Sequence, residues 1–197
     1  MTKQADIDND DSSNRFPVVG IGASAGGLDA FKTFLHAIPE RSGMAYVLVQ
    51  HLDPEHESLL PAILQKATTI PVLQISDNLE IEQDHVYIIP ANKTLVASDG
   101  MLKLSPRIAR SKKNIPLPID VFFTSLSDVY QEHSIGVVLS GSASDGTLGL
   151  KAIKDRGGVT FAQDEETAAF RDMPLHAINA GVVDYVLPPE EIVRKLM

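Results

Sequence analysis

Seven short apolar runs recur along this chain, and they constrain its fold more than any single motif. They are Phe16 to Ile21, Ala45 to Val49, Pro71 to Ile75, Val86 to Ile89, Ile135 to Leu139, Val159 to Ala162 and Val182 to Leu187. Most are nearly continuous rather than alternating in polarity, as in strands covered on both faces. Between several of them lie segments with apolar residues three or four apart, such as Leu28, Phe31, Phe34 and Leu35, or Leu59, Ile63 and Leu64, the spacing of helices with one apolar side. Strand alternating with helix predicts an α/β fold with a doubly wound, mostly parallel sheet flanked by helices. One region departs from the alternation. Two short extended runs, Thr94 to Ala97 and Met101 to Leu104, flank Ser98-Asp99-Gly100, and Asp-Gly between such runs predicts an antiparallel β-hairpin. A helical pattern resumes over Ile119 to Val129.

A chain of 197 residues with 44% apolar content suffices for one domain with a substantial core. That domain is expected over residues 16–197. Residues 1–15, MTKQADIDNDDSSNR, are polar and acid-rich and read as a disordered tail or a linker. They lack the basic-then-apolar order of a secretory signal, and no apolar run approaches the roughly 18 residues of a membrane span, so a soluble, cytoplasmic chain without membrane insertion is expected. The net charge of -9 argues against nucleic acid as partner, because phosphate-backbone binders concentrate Lys and Arg. With no cysteine there is no disulfide, thiolate nucleophile or cysteine zinc site, so covalent chemistry must use oxygen or nitrogen.

The first apolar run breaks into FPVVGIGASAGG, residues 16–27. In a doubly wound sheet the turn after the first strand is a preferred place for ligands and reacting groups. Gly20, Gly22 and Gly26 form GxGxxxG in the context of a dinucleotide fingerprint, the turn of an NAD(P)-binding reductase. That reading expects an acidic residue after the next strand, where this chain has Gln50-His51, with Asp53 two residues further on. Gly22 to Gly26 is also GxSxG, in which a sharp strand-to-helix turn exposes Ser24 as a nucleophile. The third use of Ser24 is to cap the following helix. The turn alone leaves all three open.

A nucleophilic serine needs a base. His51 closes the run AYVLVQ and should emerge at the same sheet edge as Ser24. The spacing of His51, Asp53 and His56 raises a metal alternative, but it lacks a helical i, i+4 histidine pair and crosses a proline, so no metal site is expected. In IGVVLSGSASDGTLGLKAIK another buried strand breaks into small residues before Asp145, which is either a helix cap or the carboxylate that orients the histidine. Three polar residues at the ends of three different strands favour catalysis over three unrelated caps. Arg107, Arg110, Lys112 and Lys113 collect in a proline-bounded loop that is either a solvated surface or a patch for an acidic partner.

The segments GIGASAGGLDAFKTFL, VLVQHLDPEHESLLP, VYIIPANKTL, LPIDVFFTSL, VVLSGSASDGTLGLKAIK and FAQDEETAAFRDMPLHAINAGVVDYVLPPEEI resemble, in this order, the catalytic domain of CheB-type chemotaxis protein-glutamate methylesterases. The version fused to a chemoreceptor methyltransferase is the most similar. The resemblance implies Ser24 as nucleophile, His51 as general base and acid, and Asp145 as its orienter. It also implies hydrolysis of γ-glutamyl methyl esters on the cytoplasmic helices of methyl-accepting chemoreceptors, deamidation of receptor glutamine by some members, and no metal or organic cofactor. Backbone N–H groups at Ala25 and Ser142 are expected to hold the oxyanion. Arg107, Arg110, Lys112, Lys113 and Arg171 are expected to orient the acidic substrate helix, and a fused or associated methyltransferase domain is an expected partner. Two departures stand out. No receiver domain precedes Phe16 in this sequence, and the family's usual methionine-glycine or threonine-glycine pair is Ser142-Ala143 here, where alanine accepts a positive φ less readily than glycine. That second departure keeps a silent docking module as a rival reading.

Overall fold

The computed structural model describes residues 16–50, 59–106 and 117–197. Among these residues the elements run β1 (Val18–Ala23), α1 (Gly27–His36), β2 (Ala45–Gln50), α2 (Leu60–Gln65), β3 (Val72–Gln74), β4 (Leu79–Glu80), β5 (Val86–Ile88), β6 (Lys93–Ser98), β7 (Met101–Pro106), α3 (Pro118–Tyr130), β8 (Ser134–Val138), α4 (Thr147–Asp155), β9 (Val159–Gln163), α5 (Asp172–Asn179), β10 (Tyr185–Leu187) and α6 (Pro189–Leu196). Seven strands form a parallel sheet in the order β10-β9-β8-β1-β2-β5-β3. β4, β7 and β6 form a small antiparallel sheet. The hairpin closes through Asp99 and Gly100, with φ of 52° and 76°, directly beyond the paired Ser98 and Met101. Two successive positive φ values match the twist of the flanking strands, which is why Asp-Gly marks the turn.

Alternate residues of the central strands face opposite helical layers. Val19, Ile21, Tyr46, Leu48 and Val137 join Phe31, Phe34 and Leu35 of α1, Leu64 of α2, and Ile192 and Val193 of α6 in one core. Val18, Val47, Val49, Tyr87 and Val138 join Phe122, Phe123 and Leu126 of α3, Leu150 and Ile153 of α4, and Leu95 and Leu102 of the small sheet in the other. Both faces of β1, β2 and β8 are therefore dry, and their sequences read as continuous apolar runs for that reason. Each fully buried Phe or Leu contributes roughly 1.5–3 kcal/mol relative to exposure.

The chain passes from β1 to β2, crosses to the edge strand β3, comes back to insert β5 between β2 and β3, and then starts β8 on the other side of β1 and winds outward to β9 and β10. The strand order thus reverses between β1 and β8, and the loops leaving their carboxyl ends flank the crevice where doubly wound sheets bind ligands.

Three local expectations shift. The first strand reaches Ala23, so Gly20 and Gly22 lie inside β1 rather than in the turn after it. Strand structure near the C-terminus is confined to Tyr185–Leu187 instead of beginning at Val182. Gly181, with φ of 71°, ends α5, and the Asp184 carboxylate takes the Thr160 N–H at 3.0 Å, so the side chain of Asp184 fills the role a ladder bond would have played. The two-residue strand β4 was not anticipated and pairs with β7.

Candidate active site

Ser24 follows the last residue of β1, and its turn is held by main-chain bonds. The Ser24 N–H donates to the Ser140 carbonyl at 3.0 Å, across the crevice to the segment after β8, and the Gly27 N–H returns to the Ser24 carbonyl at 3.0 Å. Gly26 takes φ of 71° at the cap position of α1, a left-handed conformation suited to glycine. Because the cap residue is Gly26, with no side chain, the helix-capping use of Ser24 is not what this turn displays.

The glycines of β1 serve packing. A Cβ on Gly22 would stand 2.5 Å from Cγ2 of Ile119, and one on Gly20 would stand 2.8 Å from Cε1 of Phe123, both from α3. Only bare backbone lets α3 lie this close to β1. The spacing that reads as a dinucleotide fingerprint is therefore occupied by a helix on one face of the strand, a use that the residues around it do not announce.

The start of α3, brought against β1 in this way, meets Asp145. α3 begins with Pro118, and Leu117 before it offers no side-chain cap. The carboxylate of Asp145, 4% exposed, fills that place: Oδ2 accepts from the Ile119 N–H at 3.1 Å and Oδ1 from the Asp120 N–H at 3.0 Å. These are two of the amides that the first turn of a helix leaves without internal partners. Asp120 reciprocates, its Oδ1 accepting the Gly149 N–H in the first turn of α4 at 2.8 Å. Asp145 thus caps the helix that holds Asp120, and Asp120 bonds the first turn of the helix that follows Asp145. Burial pushes the Asp120 carboxyl above the usual carboxylate range, and the Asp145 charge adds to the rise while the α4 amides oppose it. Asp145 is thus a cap, but for α3 rather than for the helix it precedes.

A second brace was not foreseen. Ser140, buried two residues beyond the end of β8, donates its hydroxyl to the Ala25 carbonyl at 2.8 Å and accepts the Phe170 N–H at 3.0 Å. Its own N–H donates to Oε1 of buried Gln163 at 2.8 Å. Gly141 exchanges main-chain bonds with the next loop, donating to the Phe170 carbonyl and accepting from the Met173 N–H, each at 3.0 Å. The loops after β1, β8 and β9 are in this way tied into one unit. The only sequence cue to this role is a polar residue at the end of a buried apolar run.

Ala25 and Ser142 lie in two of these loops, and among the described residues no acceptor receives the N–H of either. Ala143 adopts φ of 68°, the left-handed conformation in which glycine would be relaxed. Arg171 is exposed at the cap of α5, next to Phe170. His51, Asp53 and His56 lie outside the described residues, as do Arg107, Arg110, Lys112 and Lys113. Gln50, immediately before His51, places its Nε2 3.5 Å from the Ser24 carbonyl, so the end of β2 reaches the Ser24 turn. Among the described residues no helix is long and apolar enough to cross a membrane.

The CheB methylesterase family model matches residues 19–196. A Leptospira interrogans protein, provisionally named a protein-glutamate methylesterase/protein-glutamine glutaminase, is 38% identical over 179 residues, which cover 90% of this chain and 91% of that protein. A Burkholderia lata protein-glutamate methylesterase/protein-glutamine glutaminase is 37% identical over 91% of this chain, which corresponds to 53% of its length. Among solved structures, the catalytic domain of Thermotoga maritima CheB methylesterase superposes with a TM-score of 0.83 at 29% identity, covering 92% of this chain and 97% of that one.

Proposed function

The chain belongs to the CheB methylesterase family, and from that premise we propose that it hydrolyses γ-glutamyl methyl esters on the cytoplasmic helices of chemoreceptors, working in the cytoplasm. Ser24 Oγ attacks the ester carbonyl carbon while His51 takes its proton. The resulting oxyanion accepts hydrogen bonds from the backbone N–H groups of Ala25 and Ser142. Collapse of the intermediate breaks the C–O bond, and His51 returns the proton to the departing methanol. Water, deprotonated by His51, then attacks the acyl-serine and releases glutamate and Ser24. The same steps on a glutamine side chain expel ammonia, the second activity in the relatives' names. Asp145 holds the histidine in one tautomer and stabilises the imidazolium. Arg171 and the basic residues at 107–113 draw in an acidic helix, and a methyltransferase domain is the associated partner.

The observation that carries this reading is the joining of the Ser24 turn to the loop that bears Ser142 and Asp145, through the 3.0 Å bond from the Ser24 N–H to the Ser140 carbonyl at the strand-order reversal. A docking module that hydrolyses nothing is the rival, favoured by the φ of Ala143. Methanol release from a methylated chemoreceptor fragment separates them. Ser24→Ala and His51→Ala should each lose on the order of a thousandfold or more, because such residues act as a unit. Wild-type turnover by Ser24→Ala rules out the mechanism.

A further inference from the structure

Among the described residues, the large exposed apolar side chains fall into two sets, apart from Met197 at the end of α6. Leu73, Tyr185 and Val186 lie on β3 and β10, the edge strands of the parallel sheet. Leu59, Leu148 and Phe170 lie where the chain leaves the carboxyl ends of strands, and only Phe170 among these is aromatic. The residue is 49% exposed although its backbone is fastened on both sides, the N–H to Ser140 Oγ and the carbonyl to the Gly141 N–H. The ring also lies over the nucleophile turn: a Cβ on Gly26 would stand 3.0 Å from Phe170 Cδ2. Gly26 is two residues from Ser24. A half-exposed aromatic ring on so firmly held a backbone contributes little to the core, but it offers an incoming group a preorganised apolar surface.

We propose that Phe170 is a specificity-determining contact for the substrate, seating an apolar side chain of an α-helix one turn from the glutamyl ester. The proposal rests on the esterase reading above. On a helix, residues three and four positions from the ester-bearing residue share its face, about 5–6 Å away between Cβ atoms. A helix is about 10–12 Å across with its side chains. A helical glutamyl ester that reaches Ser24 therefore lays a neighbouring turn against whatever flanks the nucleophile loop, and the Phe170 ring flanks it. Such a contact also meets a difficulty of charge. The protein carries -9, and an acidic helix is repelled overall, whereas apolar contact on a rigid aromatic anchor is indifferent to that repulsion.

The test compares two substrates, a methylated chemoreceptor cytoplasmic fragment and p-nitrophenyl acetate, in the full chain carrying Phe170→Ala, Phe170→Leu or Leu73→Ala. For Phe170→Ala, the ratio of kcat/KM on the fragment to that on the small ester should fall about tenfold, mainly through KM, as for loss of an interface anchor. Phe170→Leu should restore the ratio to within about threefold of the wild type, because leucine keeps an apolar surface. Leu73→Ala, on an edge strand, serves as the control and should leave the ratio unchanged. Equal losses on both substrates would mean that Phe170 supports the fold of the site, and no loss would mean that the helix docks elsewhere; either result overturns the proposal. Ser24-dependent cleavage of the small ester by a wild-type protein that never cuts the fragment would overturn the assigned substrate, and this inference with it.

Discussion

Placing a methyl group on Gly22 would test whether the glycines of β1 exist to admit α3. The Cβ of Gly22→Ala would meet three atoms of one side chain, Ile119 Cγ2 at 2.5 Å, Cδ1 at 2.8 Å and Cγ1 at 3.1 Å, where carbon contacts are comfortable at about 3.5–4.0 Å. Ile119 cannot simply retreat, because its N–H is held by Asp145 and its side chain is fully buried. Overpacking of this kind costs about 1–3 kcal/mol, against up to about 1 kcal/mol recovered by removing a glycine from a strand. The net expectation is about 1–2 kcal/mol of destabilisation, with a fall in esterase activity as the first turn of α3 shifts beneath Asp145. Ile119→Ala alone should cost about 2–5 kcal/mol by leaving a cavity. In the double variant the new methyl enters that cavity, so its cost should fall below the sum of the singles by about 1–2 kcal/mol. Ile119→Val should rescue poorly, because valine retains a methyl at the position of the nearest clash. Urea unfolding with unchanged m-values measures the cycle, and ester hydrolysis follows the site. Additivity within about 0.5 kcal/mol would refute the packing explanation.

Two further outcomes follow from strained or buried groups. Ala143→Gly should raise stability by about 0.5–1 kcal/mol by relieving a left-handed alanine, a gain reduced by the extra entropy of glycine in the unfolded chain. For a domain of this size that is roughly 1–4 °C in Tm, and a lower Tm would show that the turn is held without strain. Asp120→Asn keeps an oxygen for the Gly149 N–H but cannot ionise. Because the folded-state pKa of Asp120 is raised above its usual value of 3.8, the stability it contributes is complete below that value and is lost as pH rises through the raised one. The Tm difference between variant and wild type should therefore move in the variant's favour from below pH 4 towards neutrality, and a gap that does not change with pH contradicts the assignment.

The strands were legible because burial on both faces writes itself into consecutive residues, as in Val18 to Ile21 and Ile135 to Leu139. The hairpin was legible because Asp99-Gly100 declares its backbone locally. What did not show is whatever depends on residues distant in the chain. GIGASAGG announces that something approaches the backbone closely, but whether that is a pyrophosphate or a helix is decided by Ile119 and Phe123, about a hundred positions later. The capping of α3 by Asp145 is hidden for the same reason: helix-start signals are sought just before a helix, and here the cap comes from beyond its far end, 25 residues after the Asp120 amide it accepts. Ser140 looks like one more small residue in a glycine-serine turn until the Ala25 carbonyl and the Phe170 N–H are seen on its hydroxyl.

The two readings of Asp145, cap and catalytic orienter, need not compete. An ionised carboxylate has about four lone-pair directions on its two oxygens, and the α3 amides occupy one on each. A carboxylate has the capacity to accept an imidazole N–H together with both amides. The cap fixes the Asp145 carboxylate against the first turn of α3, whose own position is set in turn by the bare faces of Gly20 and Gly22. The glycines before Ser24 and the aspartate that caps α3 are two ends of one packing arrangement, so a change at either end should be felt at the Ser24 turn between them.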